Sequence, residues 1–182
     1  ALPQDTQEIA FDYPAVFFEE RLWRIPRPRP DREAVAEAAA LLKTAKNPLI
    51  IAGGGVRYSG AEEALASFAA KRGIPIVETI AGKGGLTHDH PVHAGPIGIV
   101  GSTSANALAA EADVVLAVGT RLQDFTTGSW TAFAQDARFI AINAARFDAL
   151  KHRALPVVGD ALEGIGELDA ALGDWAAPKT LM

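Results

Sequence analysis

Four places in the chain carry residue types that could meet a ligand. Gly53-Gly54-Gly55 follows directly on the apolar run Leu49-Ile50-Ile51-Ala52, where parallel sheets offer backbone N–H groups to phosphates. The three glycines are contiguous, whereas the dinucleotide fingerprint spaces them as GxGxxG. The triplet therefore equally suits a tight turn in which glycine permits positive φ and close helix packing. Gly119-Thr120-Arg121 closes the strongest apolar run, Asp113-Val114-Val115-Leu116-Ala117-Val118. The planar guanidinium of Arg121 suits a phosphate or carboxylate through two parallel hydrogen bonds, or an ion pair with a local acid such as Asp124. Asn143 and Asp160 follow two further strand-like segments, and Asp160 suits either a helix cap or a ribose contact. In an open parallel sheet the strand ends converge, so Gly53, Arg121, Asn143 and Asp160 are expected to line one crevice.

Other chemistries find less support. His88, His90 and His93, with Asp89 between them, have the composition of a metal cluster. Pro91 keeps a regular helix from presenting them on one face and no HExxH pattern exists, so a polar loop is expected. No GxSxG elbow occurs, and Ser59, Ser67, Ser102, Ser104 and Ser129 suit caps and loops. The absence of Cys excludes disulfides, thiolate nucleophiles and Cys-based metal sites, and fits a reducing, cytoplasmic setting. Seventeen basic against 22 acidic residues, a formal charge of −5, argue against a nucleic-acid surface; the basic residues crowd together only within residues 21–32. Apolar runs are far shorter than the roughly 18 to 20 residues of a membrane span, so no membrane partner is expected.

The elements that must position these groups are legible from periodicity. At 182 residues, with 49% apolar and 21% charged, one compact domain with spare length is expected. Asp31 is placed to cap a helix over residues 32–45, and Asn47-Pro48 ends it. A strand at 49–52, the glycine turn, a helix near 61–72 and a strand at 74–78 follow. Residues 81–101 read as irregular. A helix capped by Ser102 or Thr103, strands at 113–118 and 139–142, an edge-type strand at 155–158 and a helix over 161–172 capped by Asp160 complete the order. Apolar strands alternating with helices predict an α/β fold, Rossmann-like and doubly wound, with a mostly parallel sheet and helices on both faces. No internal repeat is present.

Residues 1–30 differ in character. The opening has no initiator Met, basic n-region or apolar h-region and reads as an interior cut rather than a signal peptide. Aromatics (Phe11, Tyr13, Phe17, Phe18, Trp23) then lead into Arg24-Ile25-Pro26-Arg27-Pro28-Arg29-Pro30, whose alternating prolines predict an extended, solvated strap. The expected division is a linker and remnant of a preceding domain over 1–30, a central α/β domain over 31–173 and the start of a following linker over 174–182. The aromatics need cover from a neighbouring domain or subunit.

The ordered segments AKNPLIIAGGGV, GIPIVET, GPIGIVGSTSAN, AEADVVLAVGTRLQDFTTGSW and FIAIN resemble the central domain of thiamine-diphosphate-dependent enzymes related to acetolactate synthase. GTRLQDFTTGSW and the opening ALPQD are most similar to the branch that hydrolyses a carbon–carbon bond of a cyclic, inositol-derived dione. The resemblance implies that ALPQD is the last strand of a preceding pyrimidine-binding domain. It implies that the chain is the middle third of a homo-oligomeric enzyme using thiamine diphosphate and Mg²⁺, partnered by its own two other domains. The family's catalytic Glu lies in the first domain and its GDG…N motif in the third. Gly159-Asp160-Ala161 lacks the second Gly and the following Asn, so the fragment alone is expected to be inactive. Flavin-containing relatives hold FAD in this domain and others ADP. The matching positions here are Gly53, Gly54 and Gly55, residues 95–101 with Gly98 at their centre, Gly119, Thr120 and Arg121, Asn143 and Gly159-Asp160. The ending Asn143-Ala144-Ala145 departs from the acidic IDID-like ending of the flavin-binding members, which argues against FAD. The competing readings are a regulatory module that holds ADP or FAD and the central domain of an acetolactate-synthase-type carboligase.

Overall fold

The computed structural model describes residues 2–178. Ala1 of the opening segment and residues 179–182 of the expected trailing linker lie outside them. In chain order the elements are α1 (Gln4–Gln7), a 3-10 turn (Ala15–Phe18), α2 (Arg32–Lys43), β1 (Pro48–Ala52), α3 (Gly54–Ser59), α4 (Glu62–Arg72), β2 (Ile76–Glu78), β3 (His93–Pro96), α5 (Thr103–Glu111), β4 (Val114–Val118), α6 (Asp124–Thr127), β5 (Arg138–Asn143), α7 (Arg146–Ala149), a 3-10 turn (Lys151–Arg153), β6 (Leu155–Val158) and α8 (Ala161–Leu172).

The strands form one six-stranded sheet in the order β3-β2-β1-β4-β5-β6, and every pair is parallel. Chain order reverses between β1 and β4, the switch point at which doubly wound sheets open a crevice. The central strands are apolar throughout because both faces are covered. Successive side chains alternate: Ile50, Leu116, Ile140 and Ile142 meet Val35, Leu42, Leu65, Phe68, Ile165 and Leu168 of α2, α4 and α8. Leu49, Ile51, Val115, Ala117 and Phe139 point the other way, onto Ala105 and Ala109 of α5 and onto Phe133. The fold class expected from the sequence is therefore the one observed. Among the described residues no helix is long and apolar enough to cross a membrane.

Local chemistry sets the helix ends. The Asp31 carboxylate accepts from the Glu33 and Ala34 N–H groups, Ser102 Oγ from Ala105 N–H, and the Asp160 carboxylate from Leu162 and Glu163 N–H. Gly60 and Gly73, both left-handed, end α3 and α4.

Three expectations need correction. Gly53-Gly54-Gly55 is not a free turn; Gly53 is the extended N-cap of α3, and none of the three has positive φ. Val56 is buried in the core and anchors this extra helix, so the chain coils as soon as it leaves β1. The stretch read as irregular contains β3, an edge strand disguised by a register shift between Ile76 and Glu78 and by left-handed Gly95. The opening segment, expected as a strand of a preceding domain, forms a helical turn over Gln4–Gln7 here.

The proline-rich strap is extended, as expected, but not simply solvated. Its carbonyl at Pro28 accepts from Asp160 N–H at 2.8 Å, and Arg29 pairs with Glu163 at 3.0 Å. It packs against the start of α8. Upstream, Tyr13 and Phe17 pack with ring centroids 4.8 Å apart, yet Phe17, Phe18 and Trp23 remain 63%, 73% and 78% exposed.

Candidate functional site

The crevice at the carboxyl ends of β1, β4 and β5 is built on two glycine turns in contact. A Cβ on Gly53 would stand 2.4 Å from the Gly119 carbonyl oxygen, and one on Gly55 would stand 2.6 Å from Gly119 Cα. Gly53 N–H donates to Val118 O at 2.8 Å and Gly55 N–H to Gly119 O at 2.9 Å. The glycines thus hold two strand ends together, and two of their three N–H groups are used in doing so. Close approach, not positive φ, is what requires glycine at 53 and 55.

Two cavities flank this contact. One, of about 370 Å³, is lined by Gly54, Gly55, Gly119, Thr120 and Arg121, with exposed Tyr58, Ile80 and Phe125 at its rim. The other, of about 280 Å³, is lined by Gly55, Gly119, Asn143 and Asp160 and is walled by Ile25, Pro26 and Pro28 of the strap. The residues expected to share one crevice are thus divided, Arg121 beside the first cavity and Asn143 and Asp160 beside the second, and Gly53 lines neither. Gly98 lines neither cavity; both its backbone groups pair with the Asn106 side chain, at 2.9 and 3.0 Å.

Most of the polar groups here are engaged within the domain. Asn143 Nδ2 donates to Thr120 O at 3.0 Å and its Oδ1 accepts from Ala145 N–H at 2.9 Å. Thr120 Oγ1 accepts from Leu122 N–H. Arg121 donates to Gln123 Oε1 at 3.1 Å, while the expected acid, Asp124, accepts instead from Ser129 Oγ at 2.7 Å. Arg121 is exposed and is the one candidate whose charge still faces the cavity.

Asp160 sits in a network that sequence reasoning did not assemble. Its Oδ1 accepts from Ser59 Oγ at 2.6 Å and from Arg27 at 3.2 Å, and Arg27 also donates to Ser59 O. The Arg-Pro repeat was the only sequence signal for Arg27, and nothing local links it to Ser59. Burial alone would raise the Asp160 pKa; hydrogen bonds from Ser59, Glu163 N–H and Leu162 N–H, with the Arg27 charge, outweigh it and hold the carboxyl below its ordinary value. A lowered carboxyl pKa stabilises the fold above the ordinary carboxylate range, and that contribution is lost as pH falls through the lowered value. Asp160→Asn keeps an acceptor for the cap but no charge for Arg27. It is expected to cost about 1 kcal/mol at pH 7 and to show a shallower loss of urea resistance below about pH 4. Superimposable acid profiles for the two proteins would contradict this.

The histidines do not converge: among the described residues no three His, Asp or Glu groups could hold a metal ion. His93 Nε2 instead meets Glu78 Oε2 at 3.2 Å. Glu78, buried, also accepts from Leu86 N–H at 3.0 Å and ties down the loop after β2.

Parallel strands in this order, with a glycine-lined crevice at the switch point, define a Rossmann-like α/β domain. Residues 35–168 match the family model for the thiamine pyrophosphate enzyme central domain, and the chain belongs to that family. A Geobacillus thermodenitrificans protein named 3D-(3,5/4)-trihydroxycyclohexane-1,2-dione hydrolase is 45% identical over 177 residues, 97% of this chain and 28% of that protein. A Clostridium perfringens protein of the same name is 46% identical over 173 residues, covering 94% of this chain and 27% of its own length. One from Listeria monocytogenes is 45% identical over 167 residues, 92% of this chain and 26% of its own. The chain thus spans a little over a quarter of the length of the curated relatives it matches.

Proposed function

We propose that the chain is the central scaffolding domain of a thiamine-diphosphate-dependent hydrolase that cleaves a ring carbon–carbon bond of 3D-(3,5/4)-trihydroxycyclohexane-1,2-dione, in inositol catabolism. The supporting observation is identity of about 45% along nearly the whole chain, strap and aromatic arm included, to proteins so named. In this reading thiamine diphosphate, bound with Mg²⁺, supplies the carbanion chemistry, and both are held by the two flanking domains. The enzyme is a cytoplasmic homo-oligomer, and the exposed aromatics before the strap pack on the preceding domain.

The residues of this domain fit no such cofactor. In Gly159-Asp160-Ala161, a Cβ at Gly159 would meet Pro28 O at 3.0 Å, and the Asp160 carboxylate is occupied by Ser59, Arg27 and the start of α8. Adenine nucleotides fare little better: Asn143 is neutral and internally bonded, the glycine N–H groups are largely used, and the strap walls one cavity. What the domain's own residues do is mechanical, holding strap and tail in register so that the flanking domains meet correctly.

The activity is tested on the full polypeptide that carries this domain, supplied with thiamine diphosphate and Mg²⁺. Ring opening of the dione without coupling of pyruvate supports the reading; pyruvate coupling alone favours a carboligase. Calorimetric titration of the 182-residue chain is expected to give no binding of thiamine diphosphate with Mg²⁺ and only weak binding of ADP or FAD. Micromolar ADP or FAD affinity would favour a nucleotide-binding regulatory module instead.

A further inference from the structure

A larger cavity than either of those at the crevice lies at the other end of the sheet, where β5 and β6 begin. It encloses about 630 Å³, against about 370 and 280 Å³ for the two beside the glycine turns. Its wall is aromatic: Trp130 lies 5.5 Å from Phe139 and 6.0 Å from Phe133, ring centre to ring centre. The imidazole of His152 lies over Trp130 at 3.6 Å.

The backbone that brings these rings together is unfavourable. Ser129 and Trp130 have φ of 53° and 67°, and His152 and Arg153 have 57° and 59°. A left-handed conformation is uncommon for any residue with a Cβ and rarer still for a bulky one. Three of these four residues, Trp130, His152 and Arg153, line the one cavity from two separate segments. Sheet packing alone does not call for this, and strain of this kind concentrates where a ligand is held.

The polar groups at the mouth are cationic and underused. Arg138 and Arg153 both line the cavity, and no Asp or Glu does. Arg138 makes one hydrogen bond, to Thr44 Oγ1 at 2.9 Å. Among the described residues Arg153, the Trp130 indole N–H and the His152 ring nitrogens have no hydrogen-bond or ion-pair partner. Burial, then the neighbouring Lys151 charge, hold the His152 pKa below its ordinary value, which leaves the ring neutral at pH 7 and free to stack and to hydrogen-bond.

We propose that this cavity binds a small planar organic anion, its flat body against Trp130 and its carboxylate or phosphate met by Arg138 and Arg153. Guanidinium pairs suit both anions, and aromatic walls select a flat partner over a bare ion. The inference does not depend on the activity proposed above.

The test follows the indole N–H resonances of Trp23, Trp130 and Trp175 in the 19.1 kDa chain, with Trp130→Phe assigning the signal. The probes are 2-naphthoate, 1-naphthyl phosphate and neutral 2-naphthalenemethanol. Saturable shifts confined to Trp130 with one or both anions are expected, and which anion binds tighter identifies the carboxylate or phosphate source. The neutral probe should bind at least about tenfold more weakly, and Arg153→Ala should weaken the anion about ten- to a hundredfold. Arg153 is exposed, so its loss leaves the core intact, and Arg121→Ala at the opposite end should change nothing. No saturable shift at Trp130, equal affinity for the neutral probe, or an unaffected Arg153→Ala protein would each overturn the proposal.

Discussion

Arg72→Ala is expected to remove about 3–5 kcal/mol of folding stability, because it removes a buried guanidinium and leaves the half-buried Asp169 carboxylate and three carbonyls without their donor. Arg72, at the end of α4, is 1% exposed. Its Nε donates to Asp169 Oδ1 at 2.9 Å, its Nη1 to the carbonyl of Gly173 at 2.7 Å and to that of Trp175, and its Nη2 to the Asp169 carbonyl at 2.9 Å and to Asp169 Oδ1. One side chain thus joins α4 to α8 and turns the tail back over both. The tail answers with Ala177 N–H donating to Arg72 O at 2.8 Å. Burial of Asp169 would raise its pKa, but hydrogen bonds and charge from Lys71 and Arg72 outweigh it, so the pair holds above the ordinary carboxylate range and weakens as pH falls through the lowered value. Lys cannot replace the forked guanidinium, so Arg72→Lys should recover little of the loss. Lys71→Ala is the control: its side chain is 56% exposed and its Asp169 contact is worth less than about 1 kcal/mol. Urea unfolding of the three variants decides the matter, and an Arg72→Ala loss no larger than that of Lys71→Ala would refute it.

Arg72 also shows which parts of this fold were legible in the sequence. Runs such as Leu49-Ile50-Ile51-Ala52 and Val114–Val118 are apolar at every position because helices cover both sheet faces, so composition alone marks them as strands. The caps at Asp31, Ser102 and Asp160 were legible because a cap's partners lie two or three residues away. What escaped depends on partners far along the chain. Arg72 meets Asp169 97 residues on, and Arg27 meets Asp160 133 residues on. No local pattern encodes either meeting. β3 escaped for another reason: its four residues, His93–Pro96, include a left-handed Gly and a Pro, and its strand character comes from the edge of β2 and not from propensity. At the crevice the sequence identified the right strand ends but not their use. Asp160 and Asn143 have the chemistry to meet a ribose or a phosphate, and the fold directs both inward, to a strap and to a neighbouring turn.

That inward use makes the contact between the two glycine turns the most sensitive point of the crevice. Gly119→Ala combines two penalties. Its φ of +60° is costly for any residue with a Cβ, by roughly 1–2 kcal/mol. The added methyl would also stand 2.6 Å from Gly55 Cα and 2.7 Å from Val56 N, both backbone atoms that cannot rotate away. Forcing β1 and β4 apart at their ends adds about 1–3 kcal/mol of overpacking, for a total of about 2–5 kcal/mol. Gly60 separates the two contributions, since its φ is +64° but a Cβ there meets nothing within 4 Å. Gly60→Ala should therefore lose only the conformational part. Gly55→Ala, which is helical and not left-handed, should lose only the steric part, its Cβ standing 2.6 Å from Gly119 Cα. The two single losses should sum to roughly that of Gly119→Ala when measured by chemical unfolding. If Gly119→Ala proves no worse than Gly60→Ala, the strand ends are not locked together, and the crevice has room to open for a ligand that the described arrangement leaves little space to hold.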